Sequence, residues 1–177
     1  MCWNIWTSLI GWVCGWSVAG YIFYRNWTER DRWAAIVLFT YSSIQTCEFF
    51  IWWSGGPSVQ CTEVNKIVTT VFVPLILSLE PLSVVLGGIY VGQKKLYYFL
   101  PFYIIWTLGM MYGSYDGRMC SGKSPEGYLV WNVLGTNNYF TVVFNISLLL
   151  PVAIFLRPAI VSMIICAFVS TALFYII

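Results

Sequence analysis

The chain has no histidine and few charged residues of either sign. Charged residues make up 9% of its 177 positions, against roughly a quarter in soluble domains. Without histidine, the Ser-His and Cys-His nucleophile systems and most hydrolytic metal sites are excluded, and no glycine-rich phosphate loop with its lysine is present. A net charge of +2 without a concentrated basic face does not fit nucleic-acid binding. We therefore expect no enzyme, no metal site, no cofactor and no nucleic-acid partner.

Apolar and aromatic residues dominate the composition instead. Hydrophobic residues make up 59% of the chain, which also contains ten tryptophans and twelve tyrosines. A soluble fold could not bury that much apolar surface, whereas a membrane protein exposes it to lipid and anchors Trp and Tyr at two lipid–water boundaries. The composition predicts an integral membrane protein whose main partner is the lipid bilayer.

Six segments are long and apolar enough to cross the hydrocarbon core, which takes about 20 helical residues. They cover approximately residues 5–24, 33–53, 66–91, 96–112, 139–156 and 159–177. The first lacks the basic flank and the cleavage site of a signal peptide, so we expect a true crossing. The sequence predicts an all-α fold, a polytopic membrane protein with a bundle of about six transmembrane helices in a single domain over residues 1–177.

Basic residues are divided unevenly between the two sets of loops. The loops after the first, third and fifth segments hold Arg25, Arg30, Arg32, Lys94, Lys95 and Arg157. The opposite side holds Lys66, Arg118 and Lys123. Because cytoplasmic loops carry the excess of Lys and Arg, both termini are predicted to be non-cytoplasmic.

Three cysteines fall on that non-cytoplasmic side, where an oxidising compartment permits disulfides. We predict a bridge between Cys61 and Cys120, with Cys2 either without a disulfide or competing for one of them. The alternative is three unlinked thiols, because pairing cannot be deduced from sequence alone. The cysteines inside the segments, Cys14, Cys47 and Cys166, are interpreted as small buried hydrophobic residues.

Four short sequence motifs follow one another in a characteristic order over residues 1–131. They are the opening Met1-Cys2-Trp3, the pair Gln45 and Glu48, Cys61-x-x-x-Asn65 before a segment with an internal acid or amide ahead of Pro81, and Cys120-Ser121 followed by Gly127-Tyr128-Leu129-x-Trp131. In order and spacing they resemble an uncharacterised family of small multi-pass membrane proteins of large DNA viruses and microbes. The resemblance implies a multi-pass architecture and a viral or microbial membrane protein, and it implies no activity.

The chain also departs from that family's pattern. There the acid of the second segment precedes the glutamine, whereas here Gln45 precedes Glu48. Glu80 stands where the family usually has a glutamine, and Tyr128 replaces a histidine after the loop glycine. The histidine often found in the family's third segment is also missing, so histidine chemistry in relatives does not carry over to this chain.

Two glutamates lie inside the predicted crossings, Glu48 in the second and Glu80 in the third. Because an ionised carboxylate in hydrocarbon costs several kcal/mol, such acids normally face a bundle interior or a wet cavity. Gln45 and Asn145 fall at a similar depth, so the four side chains could line one polar cavity. Pro81 directly follows Glu80 and removes one backbone hydrogen bond from the helix, as in many cation and proton sites of transporters.

The working hypothesis from these residues is a proton- or cation-handling transporter or channel. Glu80, with Glu48, would bind the proton or small cation, and Gln45 and Asn145 would orient it. The alternative is a structural or interaction protein of a cellular or viral membrane, in which the same polar side chains hold helices together without transport.

Small residues in the first segment indicate a further contact. Gly11-x-x-x-Gly15 allows two helices to approach closely. The partner helix would belong either to the same chain or to a second copy in a homo-oligomer.

Overall fold

Helices make up most of the part of the chain that the structure, a computed structural model, describes: residues 4–114 and 120–131. The α-helices are α1 (Ile5–Arg25), α2 (Glu29–Gly55), α3 (Glu63–Ile67), α4 (Val73–Tyr90) and α5 (Leu100–Ser114). A π-helical turn, Val68–Phe72, joins α3 to α4, and 3-10 turns follow α2 (Gly56–Ser58) and precede α5 (Lys94–Phe99). Two antiparallel strands, β1 (Gly122–Lys123) and β2 (Leu129–Val130), form a short hairpin. Thus the predicted helical fold carries a small strand pair in a loop.

Three helices are long and apolar enough to cross a membrane, namely Ile5–Arg25, Glu29–Ser58 and the continuous helix Glu63–Tyr90. They correspond to the first three predicted crossings. The fourth was predicted from residue 96, but its α-helix begins at Leu100 and has 15 residues. Pro101 suits the first turn of α5, and a tighter 3-10 turn precedes it. The last two predicted crossings, 139–156 and 159–177, lie outside the described residues, so the bundle of six stays a prediction.

The turn between α1 and α2 is closed by polar contacts. Asn26 ends α1 in the left-handed conformation, with φ of 43°. The carboxylate of Asp31, in the first turn of α2, then accepts hydrogen bonds from the Trp27 amide, the Thr28 hydroxyl and the Arg25 guanidinium. These bonds reverse the chain within a few residues and make α2 antiparallel to α1.

Glycines bring α1 directly against α2. A β-carbon on Gly15 would lie 2.8 Å from the Ser42 hydroxyl oxygen, and one on Gly11 would lie 3.3 Å from the Gln45 side chain. A side chain at Gly15 would therefore force the two helices apart. The predicted close-packing surface of these glycines is thus used inside the chain, and the prediction of a homo-oligomer remains untested.

The continuous helix Glu63–Tyr90 changes its hydrogen-bond pattern part-way along. The Val73 amide donates to the carbonyl of Val68, five residues back, and Pro74 has no amide hydrogen to donate. Single π-turns of this kind are frequent at functional sites. The helix is therefore wider and less regular at the π-turn than on either side.

The predicted disulfide between Cys61 and Cys120 is confirmed, with Cα atoms 5.5 Å apart. It ties residues 120–131, which we call the hairpin segment, to the connection between α2 and α3. Cys2 lies outside the described residues. Of the two cysteines described as free, Cys47 is buried as predicted, whereas the prediction was wrong for Cys14, which is exposed. All the described residues lie within one compact unit, and a single domain over residues 1–177 stays a prediction.

Candidate functional site

Both predicted carboxyl groups lie inside the helix bundle. Glu48, on α2, has 0% of its surface exposed, and Glu80, on α4, has 5%. Neither stretch of helix around them supplies a basic side chain, because residues 33–55 and 68–90 contain no Lys, Arg or His. Because a charged side chain inside a membrane segment is costly, acids in such positions normally face the bundle interior, as both of these do.

Contacts between α2 and α4 give the relative depth of the two carboxyls. Trp33 packs on both Gly87 and Gly88, where added β-carbons would lie 2.6 Å and 3.3 Å from its indole ring. For antiparallel helices these two pairs place Glu48 level with Val73. Glu48 and Glu80 are then separated by roughly 11 Å along the helix axes, at 1.5 Å per residue. The carboxyls therefore occupy two levels of the bundle.

The Glu80 level combines an acid with an interrupted helix. Pro81 lies inside α4 and cannot donate to the carbonyl of Leu77. The Ser83 hydroxyl donates to the Glu80 carbonyl at 2.7 Å, and the same register places Tyr41 of α2 at this level. This level therefore has three kinds of oxygen group that can bind a proton or a small cation: an acid, a phenol and a backbone carbonyl released from the helix.

The Glu48 level lies closer to the Cys61 end of the bundle. Trp52, one helical turn further along α2, is 5% exposed, and the register places it beside Thr69. The register places Glu48 level with Val73, which directly follows the π-turn Val68–Phe72. Glu48 therefore lies about 6 Å, roughly one helical turn, beneath the Trp52 level.

The other two predicted site residues are placed differently. The Gln45 side chain lies against Gly11 of α1, within 3.3 Å of where a β-carbon on that glycine would be. Asn145 lies outside the described residues, so its predicted part in a shared cavity stays a prediction. Ion or proton binding by any of the four is untested.

A buried polar cluster at the Cys61 end was not predicted. It consists of Asn65, Thr69 and Ser121, which we call the Ser121 cluster, and all three are at most 2% exposed. The Asn65 amide group donates to the Ser121 carbonyl at 3.0 Å, and its oxygen accepts from the Ser121 amide at 3.0 Å. The hydroxyls of Thr69 and Ser121 are 2.8 Å apart. The four-residue spacing of Asn65 and Thr69 and the position of Ser121 beside Cys120 were the available signals.

An apolar groove of about 540 Å³ lies beside this interior, between α1, α2 and the helix around the π-turn. Neither Glu48 nor Glu80 lines it, so the groove and the carboxyl levels are separate features. Its walls are Trp16, Phe39, Ser43, Thr46, Cys47, Phe50, Val64, Ile67, Val68, Phe72 and Ile76.

Comparison with known proteins adds no assignment. No protein-family model, no curated protein and no solved structure matches this chain. The resemblance to the uncharacterised membrane-protein family therefore stays a prediction.

Proposed function

We propose that the protein is an integral, multi-pass membrane protein that passes protons or small cations through its helix bundle. Glu80 is the principal binding group and Glu48 is a second group on the same route. The proposal rests on one observation, the burial of both carboxyls on facing helices of membrane length. Acids in such positions typically mark ion or proton pathways.

The two levels give the route its order. Glu48 lies nearer the Cys61 end and Glu80 nearer the end that carries Trp33 and Gly87. The roughly 11 Å between them is too far for direct proton transfer, which needs hydrogen-bond reach or one water between donor and acceptor. Transport would therefore require water to enter this interval during each cycle.

The topology proposed with this function has six crossings and both termini on the non-cytoplasmic side. The excess of basic residues in the loops after the first, third and fifth segments supports that orientation. The disulfide between Cys61 and Cys120 supports it independently, because both cysteines would then lie in an oxidising compartment.

Flux measurements with purified protein in liposomes test the proposal. We expect pH-jump or cation-gradient flux in the wild type, and loss of at least about tenfold in Glu80→Gln, which keeps a hydrogen-bonding shape but cannot titrate. Glu63→Gln is the matched control, because Glu63 is exposed at the start of α3 and should leave flux unchanged. Circular dichroism verifies that each variant remains folded.

A structural or interaction role is the second candidate, and the close glycine contact between Gly15 and Ser42 favours it. A rigid bundle with satisfied polar contacts needs no transported ion. Absence of flux from folded wild type and both variants would contradict the transport proposal and support this second function.

A further inference from the structure

The hairpin segment, residues 120–131, covers the Cys61 end of the helix interior. Ser121 inserts between Asn65 and Thr69 and is 2% exposed. Lys123 donates to the Pro57 carbonyl at 3.2 Å, and its ammonium group lies 5.8 Å from the centre of the Trp52 ring. The segment therefore contacts both the end of α2 and the start of the helix Glu63–Tyr90.

The contacts of this segment lie directly above the Glu48 level. Trp52, beneath Lys123, is one helical turn from Glu48, and Thr69, beneath Ser121, lies within the π-turn. Water arriving from the Cys61 end must pass the Trp52 and Thr69 level before it reaches Glu48. The hairpin segment occupies that position.

The hairpin segment has little internal structure to hold it in place. Its ladder pairs only Gly122 with Val130 and Lys123 with Leu129, and an isolated two-stranded hairpin is marginally stable in water. Its position depends on the Cys61–Cys120 disulfide, on the hydrogen bonds of the Ser121 cluster and of Lys123, which water can replace once the segment lifts, and on the Leu129 side chain, which is 0% exposed. The disulfide is the one covalent tie between the segment and the α2–α3 connection in the described residues.

We propose that the hairpin segment is a redox-controlled lid that closes the route to Glu48 while the Cys61–Cys120 bond is intact and opens when the bond is reduced. A dithiol reductant supplies two electrons and two protons. The sulfur–sulfur bond breaks, Cys61 and Cys120 become thiols, and the reductant becomes a disulfide. The Ser121 cluster then exchanges its bonds for water, and the segment swings away from Trp52. This regulation builds on the proposed function, in which Glu48 is one of the two binding groups.

Carboxyl labelling tests the lid without measuring flux. The folded wild-type protein in detergent is treated with a water-soluble carbodiimide and an amine, before and after reduction by a dithiol, and labelled glutamates are quantified by mass spectrometry. We expect labelling of Glu48 to rise about tenfold or more on reduction, as local opening exposes it. Glu63 is the internal control, since it is exposed in both states and should label equally.

Two results would overturn the lid. One is equal labelling of Glu48 before and after reduction, with the two free thiols verified by mass. The other is loss of the helical circular dichroism signal on reduction, because the disulfide would then hold the whole bundle together. A Cys14→Ser variant, which alters a cysteine outside the disulfide, should behave as the wild type. If reduction increases the labelling of Glu48 but the protein shows no flux, the lid is supported and the transport proposal is contradicted. If the protein shows flux but reduction leaves the labelling unchanged, the transport proposal is supported and the lid is contradicted.

Discussion

Removal of the Asn65 side chain is the perturbation whose effect the structure specifies most fully. The amide group of Asn65 donates to the carbonyls of Gln60 and Ser121, each at 3.0 Å. Its oxygen accepts from the Ser121 amide and the Thr69 hydroxyl, each at 3.0 Å. Asn65→Ala deletes all four hydrogen bonds in a position that is 0% exposed.

The loss of unfolding free energy depends on whether each former partner of Asn65 still has another hydrogen bond. The Ser121 amide keeps the Thr69 hydroxyl as an acceptor at 3.1 Å, and the Gln60 carbonyl keeps the Thr62 amide as a donor at 3.0 Å. The Ser121 carbonyl loses its Asn65 donor inside the protein, which costs about 1–3 kcal/mol. Adding the small cavity left by the amide, we expect the free energy of unfolding to fall by about 3 kcal/mol.

A matched substitution separates this effect from the loss of any asparagine. Asn4 caps α1 by accepting hydrogen bonds from the Trp6 and Thr7 amides, each at 3.0 Å, in an exposed position. Asn4→Ala should cost about 1 kcal/mol, the usual value for a helix cap. Both variants keep the disulfide, so both start from the same covalent framework.

Unfolding by sodium dodecyl sulfate in mixed micelles, followed by tryptophan fluorescence, measures both variants on one scale. We expect a clearly larger loss of unfolding free energy for Asn65→Ala than for Asn4→Ala. Equal losses, or no loss at Asn65, would refute the assignment of the Ser121 cluster as a buried and fully bonded unit.

Two further predictions concern helix contacts and backbone conformation. Gly15→Leu should cost about 1–3 kcal/mol by overpacking against Ser42, while Gly20→Leu, with open space around it, should be neutral or slightly stabilising by helix propensity. Thermal unfolding in detergent compares the two, and equal melting temperatures would contradict the close contact of α1 with α2. Asn26→Val should destabilise by about 1–2 kcal/mol because a branched side chain resists the left-handed conformation, whereas Asn26→Gly should be neutral. The same assay would contradict the φ of 43° if both variants unfolded alike.

Local sequence predicted the helices well where apolar runs were long. The first three crossings correspond to three helices of membrane length, because length and apolar content are local properties of a segment. The start of the fourth helix was misplaced by four residues. A 3-10 turn occupies Lys94–Phe99, and the choice between two helical hydrogen-bond patterns was not readable from the apolar pattern.

The pairing of Cys61 with Cys120 was predicted from topology, since alternating crossings bring their two loops to one side. The Ser121 cluster could not be predicted in the same way. Asn65 and Ser121 are 56 residues apart, and polar residues in loops are more often solvated than buried. Only the tertiary structure shows that the polar atoms of Ser121 contact those of Asn65 in α3.

By itself the sequence determined the mostly helical fold, three apolar helices of membrane length and the two acids within them, because composition and hydrophobic length depend on neighbouring residues alone. Tertiary structure decided the depth of Glu48 relative to Glu80, since the register of α2 against α4 comes from contacts such as Trp33 with Gly87. It also decided that Gly15 packs against Ser42 within the chain and that the hairpin segment packs against the Cys61 end of the helices. These outcomes depend on how distant surfaces fit together, and shape complementarity between helices is not encoded in any one segment.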